Sequence, residues 1–286
     1  MANKIGKRTE TTGHVWDGIE ELDNPLPKWW LYVWYACIVW SIGYYVLYPS
    51  IPWLTGYTKG MLNYTERTRV VEDIAGARAA QAGFYQRIEA SSLADIRGNQ
   101  ELLGFANAGG RASFAENCAP CHGSGASGGP GYPNLADDDW LWGGKLEHIY
   151  LTLKHGIRWP QDEDSRVSDM PRFGEEELLT KEQISDVAEY VLSFTDKSSD
   201  TGAAGRGKAL YTEQCVSCHG ESGEGNPEVG APRLNDAIWF YGDDKATVAA
   251  QIAGPKQGVM PAWQGRLDDT TLKMLTVYVH SLGGGQ

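Results

Sequence analysis

Two short segments of this 286-residue chain set two thiols and an imidazole at one spacing: Cys118-Ala119-Pro120-Cys121-His122 and Cys215-Val216-Ser217-Cys218-His219. In C-x-x-C-H the thiols can add to the two vinyl groups of one haem, and the adjacent His then lies under the iron as its proximal ligand. A C-x-x-C pair alone could instead hold zinc or form a redox disulfide, so the surrounding residues must decide. They decide for haem, and two motifs imply two c-type haems per chain.

The surroundings repeat. Gly110, Phe114 and Cys118 fall at fourfold steps, as do Gly207, Tyr211 and Cys215, which puts small residue, aromatic and thiol on one face of a helix leading into each motif. Downstream, Pro133, Leu135 and Trp140 match Pro232, Leu234 and Trp239, and each copy reaches a Met-Pro pair, Met170-Pro171 and Met260-Pro261. Each closes with a periodic apolar segment, 179–194 and 267–282, holding Tyr190 and Tyr278 at equivalent places. This is an internal repeat of one small domain each.

Of the five Met in the chain, only Met170 and Met260 recur at matching loop positions. A thioether is a soft ligand that favours reduced iron and raises the potential, so these two are expected opposite His122 and His219 as axial ligands. Each Met is expected to serve the haem of its own repeat; a crossed arrangement, Met170 toward the second haem and Met260 toward the first, stays open. The rival ligands His148, His155 and His280 have no counterpart in the other repeat and read as structural or surface residues.

Residues 29–58 carry no charged side chain, and 29–48 is about the length that spans hydrocarbon, with Trp and Tyr at both ends. The run starts late and is followed by Pro49 and Pro52, not by a small-residue cleavage site, which predicts a retained anchor instead of a signal peptide. Lys4, Lys7, Arg8 and Lys28 before it and Lys59, Arg67, Arg69 and Arg78 after it leave orientation undecided by charge. Cys37 lies within the run and reads as a buried structural thiol, while Gly43, Tyr44 and Tyr45 could face a neighbouring helix. Residues 58–103 have a helix-favouring composition, with interruptions expected at Gly76, Gly83 and Gly98; the stretch is a spacer or a docking segment. The net charge of −12 excludes nucleic acid as a natural partner. Acid clusters at Asp137-Asp138-Asp139, Asp162-Glu163-Asp164 and Glu175-Glu176-Glu177 all lie in the first repeat. They read as solvated surface or as a field that steers a basic donor to it.

Helix with Gly and aromatic, C-x-x-C-H, Pro-x-Leu, Met loop and closing helix together resemble class I cytochrome c domains. The resemblance implies that the carbonyls of Pro133 and Pro232 accept hydrogen bonds from the proximal His residues, orienting each ring. The segment from His14 through Trp16, Asp17, Pro25 and Pro27 to Trp30, continued by Tyr48-Pro49, resembles the N-terminal signature of the membrane-anchored dihaem subunit, subunit III, of cbb3-type cytochrome c oxidases. That resemblance covers nearly the whole chain.

It implies an all-α fold: one N-terminal transmembrane helix followed by two tandem class I cytochrome c domains. The expected division is a cytoplasmic segment 1–28, an anchor 29–49, a periplasmic helical linker 50–105 and cytochrome c domains 106–198 and 199–286. Cys118, Cys121, Cys215 and Cys218 would hold haem c covalently, with His122, Met170, His219 and Met260 as axial ligands. The implied role is a non-catalytic relay within a cytochrome c oxidase. Electrons would come from a donor cytochrome c and pass to the monohaem cytochrome c subunit and the catalytic subunit, in a respiratory chain coupled to proton translocation. Because c-type haem is attached outside the bacterial inner membrane, the haem domains are expected in the periplasm and the N-terminus in the cytoplasm. The alternatives are a free-standing membrane-anchored dihaem shuttle and a dihaem peroxidase, against which the paired Met-Pro loops count.

Overall fold

The computed structural model describes residues 10–284; Lys4, Lys7 and Arg8, used in the charge comparison above, lie outside the described residues. The chain forms two units, Met1–Ala80 and Gln81–Gln286.

The first unit opens with an antiparallel hairpin, β1 (Thr11–Trp16) and β2 (Ile19–Leu22). Asp17 and Gly18 make its turn, both at positive φ (50° and 84°), the backbone that a two-residue hairpin loop requires. Helix α1 (Lys28–Leu47) follows, 20 residues with a mean hydropathy of 1.4, long and apolar enough to cross a membrane. Cys37 is exposed and open space surrounds Gly43, so the expected burial of this thiol is not supplied among the described residues, which offer one candidate span. A second small hairpin, β3 (Pro52–Trp53) and β4 (Gly56–Tyr57), comes next.

Helix α2 (Glu66–Ala90) begins in the first unit and ends in the second. It runs through Gly76 and Gly83 without the expected interruptions, because a helical Gly costs only about 1 kcal/mol relative to Ala and its neighbours here are strong helix formers. The chain breaks instead at Ser91 and Ser92, whose hydroxyl caps α3 (Leu93–Gly98) by accepting the Asp95 N–H at 3.1 Å. Asn99 likewise caps α4 (Gln100–Asn117), accepting from Glu101 and Leu102 at 3.1 Å. The end of the expected linker, 100–105, therefore belongs to the first helix of the haem-motif repeat.

The remaining helices are α5 (Ala119–His122), α6 (Leu146–His155), α7 (Lys181–Ser193), α8 (Thr201–Gln214), α9 (Val216–His219), α10 (Lys245–Ala253) and α11 (Asp269–His280). Their pairing crosses the sequence repeat. Helix α4 packs on α11, with Phe114 and Tyr278 ring centroids 5.6 Å apart; α8 packs on α7, with Tyr211 and Tyr190 centroids 5.2 Å apart. The crossings are tight: a Cβ on Gly110 would lie 2.6 Å from Tyr278 Cβ, and one on Gly207 2.9 Å from Val187 N. The leading helix of each repeat thus packs on the closing helix of the other, so the expected division at 198/199 follows the sequence repeat but not the packing. The connection explains why. Residues 194–200 are too short to carry α8 away from α7, and helices joined by short links become neighbours. Helix α8 takes the apolar face of α7, and α4 is left to α11.

Two cores result. One gathers Phe173, Ile184, Val187, Val191, Tyr211, Cys215 and Ile252; the other gathers Phe114, Cys118, Ile149, Leu153, Leu272, Leu275 and Val279. A third cluster joins Ile88 and Ile96 to Leu102, Leu146, Met274 and Val277, and Lys273 Nζ fastens it by donating to the carbonyls of Glu89 (2.7 Å) and Ser91 (3.1 Å) at the end of α2.

The α7–α8 link is locked by Glu189, whose side chain is fully buried. It accepts from Ser198 Oγ (2.8 Å), Ser199 N (2.8 Å), Ser199 Oγ (2.9 Å) and Asp200 N (3.2 Å), and pairs with Lys245 at 2.9 Å. Burial alone would raise its pKa, but the Lys245 ammonium and the Ser198 and Ser199 donors outweigh it and hold the carboxyl well below the usual range. A carboxyl lowered by folding stabilises the fold at neutral pH, and that contribution is lost as pH falls through the folded value. Glu189→Ala is expected to destabilise the second unit by about 3–5 kcal/mol at neutral pH, since it leaves the Lys245 charge and four donors without their acceptor. Thermal unfolding followed by circular dichroism checks this, and the gap to the parent should narrow in strong acid.

Candidate haem sites

Each motif begins where a helix ends. Cys118 follows α4 and Cys215 follows α8, and the rest of each motif is the single turn α5 or α9, stopped by Gly123 and Gly220 at φ 79°. The chain then returns as a loop built the same way twice. Gly128 N donates to His122 O and Gly225 N to His219 O, both at 2.8 Å; Leu135 N donates to Ala126 O at 2.8 Å and Leu234 N to Gly223 O at 2.7 Å. A Cβ on Gly128 would stand 2.7 Å from Asn134 N, and one on Gly225 2.9 Å from Arg233 N. Both glycines have positive φ, which makes them the residues the return loop depends on. They were not singled out from the sequence, although each stands at the same offset from its His.

The loop brings the expected prolines under the imidazoles. His122 Nδ1 lies 3.1 Å from Pro133 O, and His219 Nδ1 lies 3.0 Å from Pro232 O. The carbonyl fixes the proton on Nδ1, so each ring turns a bare Nε2 to its ligand side. Burial lowers both pKa values and the proline carbonyls only partly offset it, which keeps the rings neutral, as iron ligation needs. Cys118 and Cys215 are buried while Cys121 and Cys218 are exposed. Burial, with a smaller contribution from the neighbouring thiol, pushes the Cys118 and Cys215 thiols up to about 11. These are uncharged, apolar settings that suit a thioether and not a hydrated thiolate.

The methionines exchange places. Met260 packs against the core that holds Cys118, and Met170 against the core that holds Cys215. Backbone pairing fixes both: Ile157 N donates to Met260 O at 2.9 Å and Met260 N to Ile157 O at 3.0 Å, whereas Met170 exchanges hydrogen bonds of 3.1 and 3.2 Å with the Gln257 side chain. Each Met loop precedes a closing helix and travels with it, so the crossing of the helices carries the Met across too. Met260 thus stands beside the first motif's core and Met170 beside the second's.

The matched tryptophans differ. Trp140 Nε1 donates to Gly284 O at 2.6 Å, while Trp239 Nε1, at the edge of the core that holds Cys215, is buried with no partner among the described residues. A haem carboxylate is the acceptor such an orphaned donor fits. Among the rival histidines, His155 sits 3.2 Å from both carboxylate oxygens of Asp162, and His280 is buried with Arg97 at 3.4 Å. Of the acid clusters, Asp138, Glu163, Asp164 and Glu175–Glu177 are exposed. Asp139 is buried, pushed up to about 6 by burial and then by Asp236 and Asp137; Glu175 is hydrogen-bonded to Ala253 at the end of α10. The two return loops meet directly, with Gly131 N donating to Phe240 O at 2.9 Å beside a cleft of about 470 Å³ lined by Tyr132, Trp239, Phe240 and Tyr241.

Two such cradles behind one candidate span define the class: a membrane-anchored dihaem cytochrome c. Family models agree over successive stretches. Residues 8–55 match the N-terminal domain of cytochrome oxidase-cbb3, FixP; residues 108–195 match cytochrome c; residues 202–279 match cytochrome c oxidase, cbb3-type, subunit III. The chain is 52% identical to the cbb3-type cytochrome c oxidase subunit CcoP of Azospirillum brasilense over 97% of its own length and 96% of that chain. It is 52% identical to the subunit FixP of Rhizobium meliloti (strain 1021), over 97% and 95%, and 48% identical to the subunit CcoP of Cereibacter sphaeroides, over 96% and 95%. The chain belongs to the cbb3-type cytochrome c oxidase subunit III family, and its two cytochrome c domains bind haem c.

Trp239→Phe is expected to lower the potential of one haem by about 20–60 mV, the equivalent of one hydrogen bond. Trp140→Phe, which removes a bond already made to Gly284, should leave both potentials in place. A redox titration of each holo-protein reads this.

Proposed function

We propose that this chain is the dihaem electron relay of a cbb3-type oxidase and that its axial ligation is crossed. Cys118 and Cys121 attach one haem between His122 and Met260; Cys215 and Cys218 attach the other between His219 and Met170. The observation that carries the reading is the core that each Met shares with the thiol of the other repeat.

Bound haem supplies reversible one-electron chemistry, ferric to ferrous and back. The chain supplies the rest. Pro133 and Pro232 aim the imidazoles, the Met thioethers favour the reduced state, and the apolar cores exclude water. With His122, His219, Met170 and Met260 as its ligands, bound haem would have no open position for oxygen or peroxide, which favours a relay over a peroxidase. The return loops that meet at Gly131 and Phe240 give the two haem sites a short path to each other.

The relatives are named as oxidase subunits, and identity near one half over almost the full length favours the same assembly here over a free-standing shuttle. The partners of this reading are a monohaem cytochrome c subunit and the catalytic subunit, with a cytochrome c as donor. The span would sit in a bacterial inner membrane with the N-terminus in the cytoplasm and the haem domains in the periplasm, where c-type haem is attached.

Two measurements test this. A C-terminal tag on the chain, purified once from native membranes in mild detergent, should recover haem b and cytochrome c-dependent oxygen uptake; two haems c alone would favour the shuttle. In a Cys215→Ala, Cys218→Ala background that keeps only the first haem, Met260→Ala should abolish the methionine–iron charge-transfer band and lower the potential, while Met170→Ala should leave both. The opposite result restores own-repeat ligation.

A further inference from the structure

The chain does not simply leave the end of the candidate span. It folds back onto it: Met61 N donates to Val46 O at 2.9 Å and Leu62 N to Leu47 O at 3.1 Å, satisfying two carbonyls at the end of α1. Gly60, at φ 70°, lies so close to the Leu47 carbonyl that a Cβ would strike it. Ser50 Oγ is 3.2 Å from both Tyr45 O and Tyr48 O, and Tyr48 stacks on Tyr44 with centroids 4.7 Å apart while Tyr64 meets its edge at 5.6 Å. The β3–β4 hairpin held within this fold-back is closed by Thr58 N donating to Ile51 O at 2.9 Å and Ile51 N donating to Thr58 Oγ1 at 3.0 Å.

A hairpin pinned in this way to the end of a span stays at the level of the bilayer surface. Its outward side chains are large and apolar: Trp53 is 75% exposed, Leu54 98%, Tyr57 57% and Ile51 50%. No buried core cluster among the described residues includes them. The hairpin carries no charge, and the first cation after the span, Lys59, follows directly on its closing pair. Pro52 pairs with Tyr57 and Trp53 with Gly56 across the strands, so the strands bring few unpaired backbone groups to the lipid surface, where headgroups and water can meet those of the turn. Aromatic rings beside an apolar tip, with an ammonium at the margin, match the headgroup region of a bilayer, where ring dipoles and lipid phosphates lie together.

We propose that the β3–β4 hairpin is a second membrane anchor: a lipid-surface wedge in which Trp53, Leu54 and Tyr57 enter the headgroup–acyl boundary beside α1 and Lys59 pairs with lipid phosphate. The occupant of this face is lipid, argued from its continuity with the membrane-crossing helix.

The test uses the full haem-loaded chain in a Cys37→Ser background, labelled with an environment-sensitive fluorophore at Leu54→Cys and, as a second reporter on the same turn, at Thr55→Cys. Lys181→Cys in α7 is the aqueous control, and an unchanged haem spectrum confirms folding. In phosphatidylcholine vesicles, lipid brominated near the ester groups is expected to quench the hairpin labels at least twofold, more than lipid brominated at the chain ends, and to leave the Lys181→Cys label untouched. The purified oxidase reconstituted in the same lipid should show the same pattern. Unquenched, water-like emission from both hairpin labels would overturn the proposal. So would quenching that disappears on assembly while the emission stays blue-shifted, because a partner subunit would then cover the hairpin.

Discussion

The fold depends on two helix crossings that permit no Cβ. At Gly110 and at Gly207, a leading helix presses its backbone against a closing helix, α4 on α11 and α8 on α7. Much of each core is delivered from one side or other of those crossings. The leading helix brings the thiol and the aromatic; the closing helix brings a tyrosine and, just before it, the methionine. Because each crossing joins different repeats, neither core is complete until both repeats are in place. Two domains strung in a line could each close their own core; here the cores close together.

That interlock places unusual demands on the link 194–200. It turns α7 directly into α8, and Glu189 holds the turn by accepting the Ser199 and Asp200 N–H groups. A fully buried carboxylate is costly to desolvate, and it is tolerable here because Lys245 and the serine donors surround it. The acids where the two return loops meet are arranged differently. Asp137 and Asp236 occupy equivalent places in the repeats and stand with the buried Asp139, with Arg233 as the nearby cation. Compensation there is incomplete, and Asp139 is held closer to neutral pH than any ordinary carboxyl.

Much of each site could be read directly from residue types. The thiols, the histidines, the prolines beneath them and the glycine–aromatic–thiol steps all have local reasons for their spacing. The pairing of helices did not. A 3.6-residue period says that one face of a helix is apolar but not which other face will cover it, and α7 and α11 offer nearly interchangeable faces. The decisive signal was the short α7–α8 connection, a matter of reach and not of pattern. The N-terminal hairpin was missed for a different reason: Asp17-Gly18 is a strong turn signal, but it sits in a segment that buries nothing, so no hydrophobic alternation drew attention to it. The glycines in α2 misled in the opposite sense, since a breaker residue lowers helix stability without deciding where the helix ends, and the Ser92 and Asn99 caps decided that.

Duplication followed by crossing also separates what the two haem sites share from what each has alone. The His–Pro bond, the return loop and the thiol burial are equal in both, so those features set no difference between them. The differences lie around the edges: Trp140 is satisfied by the C-terminal Gly284 carbonyl while Trp239 keeps a free donor, and Met260 is held by a backbone ladder to Ile157 where Met170 is held by the side chain of Gln257. The segment from Ile157 to Met170 connects these two supports, one end bonded to the methionine of the first core and the other being the methionine of the second. One run of chain therefore holds both methionine loops, and the residues between Ile157 and Met170 have to satisfy two cores at once.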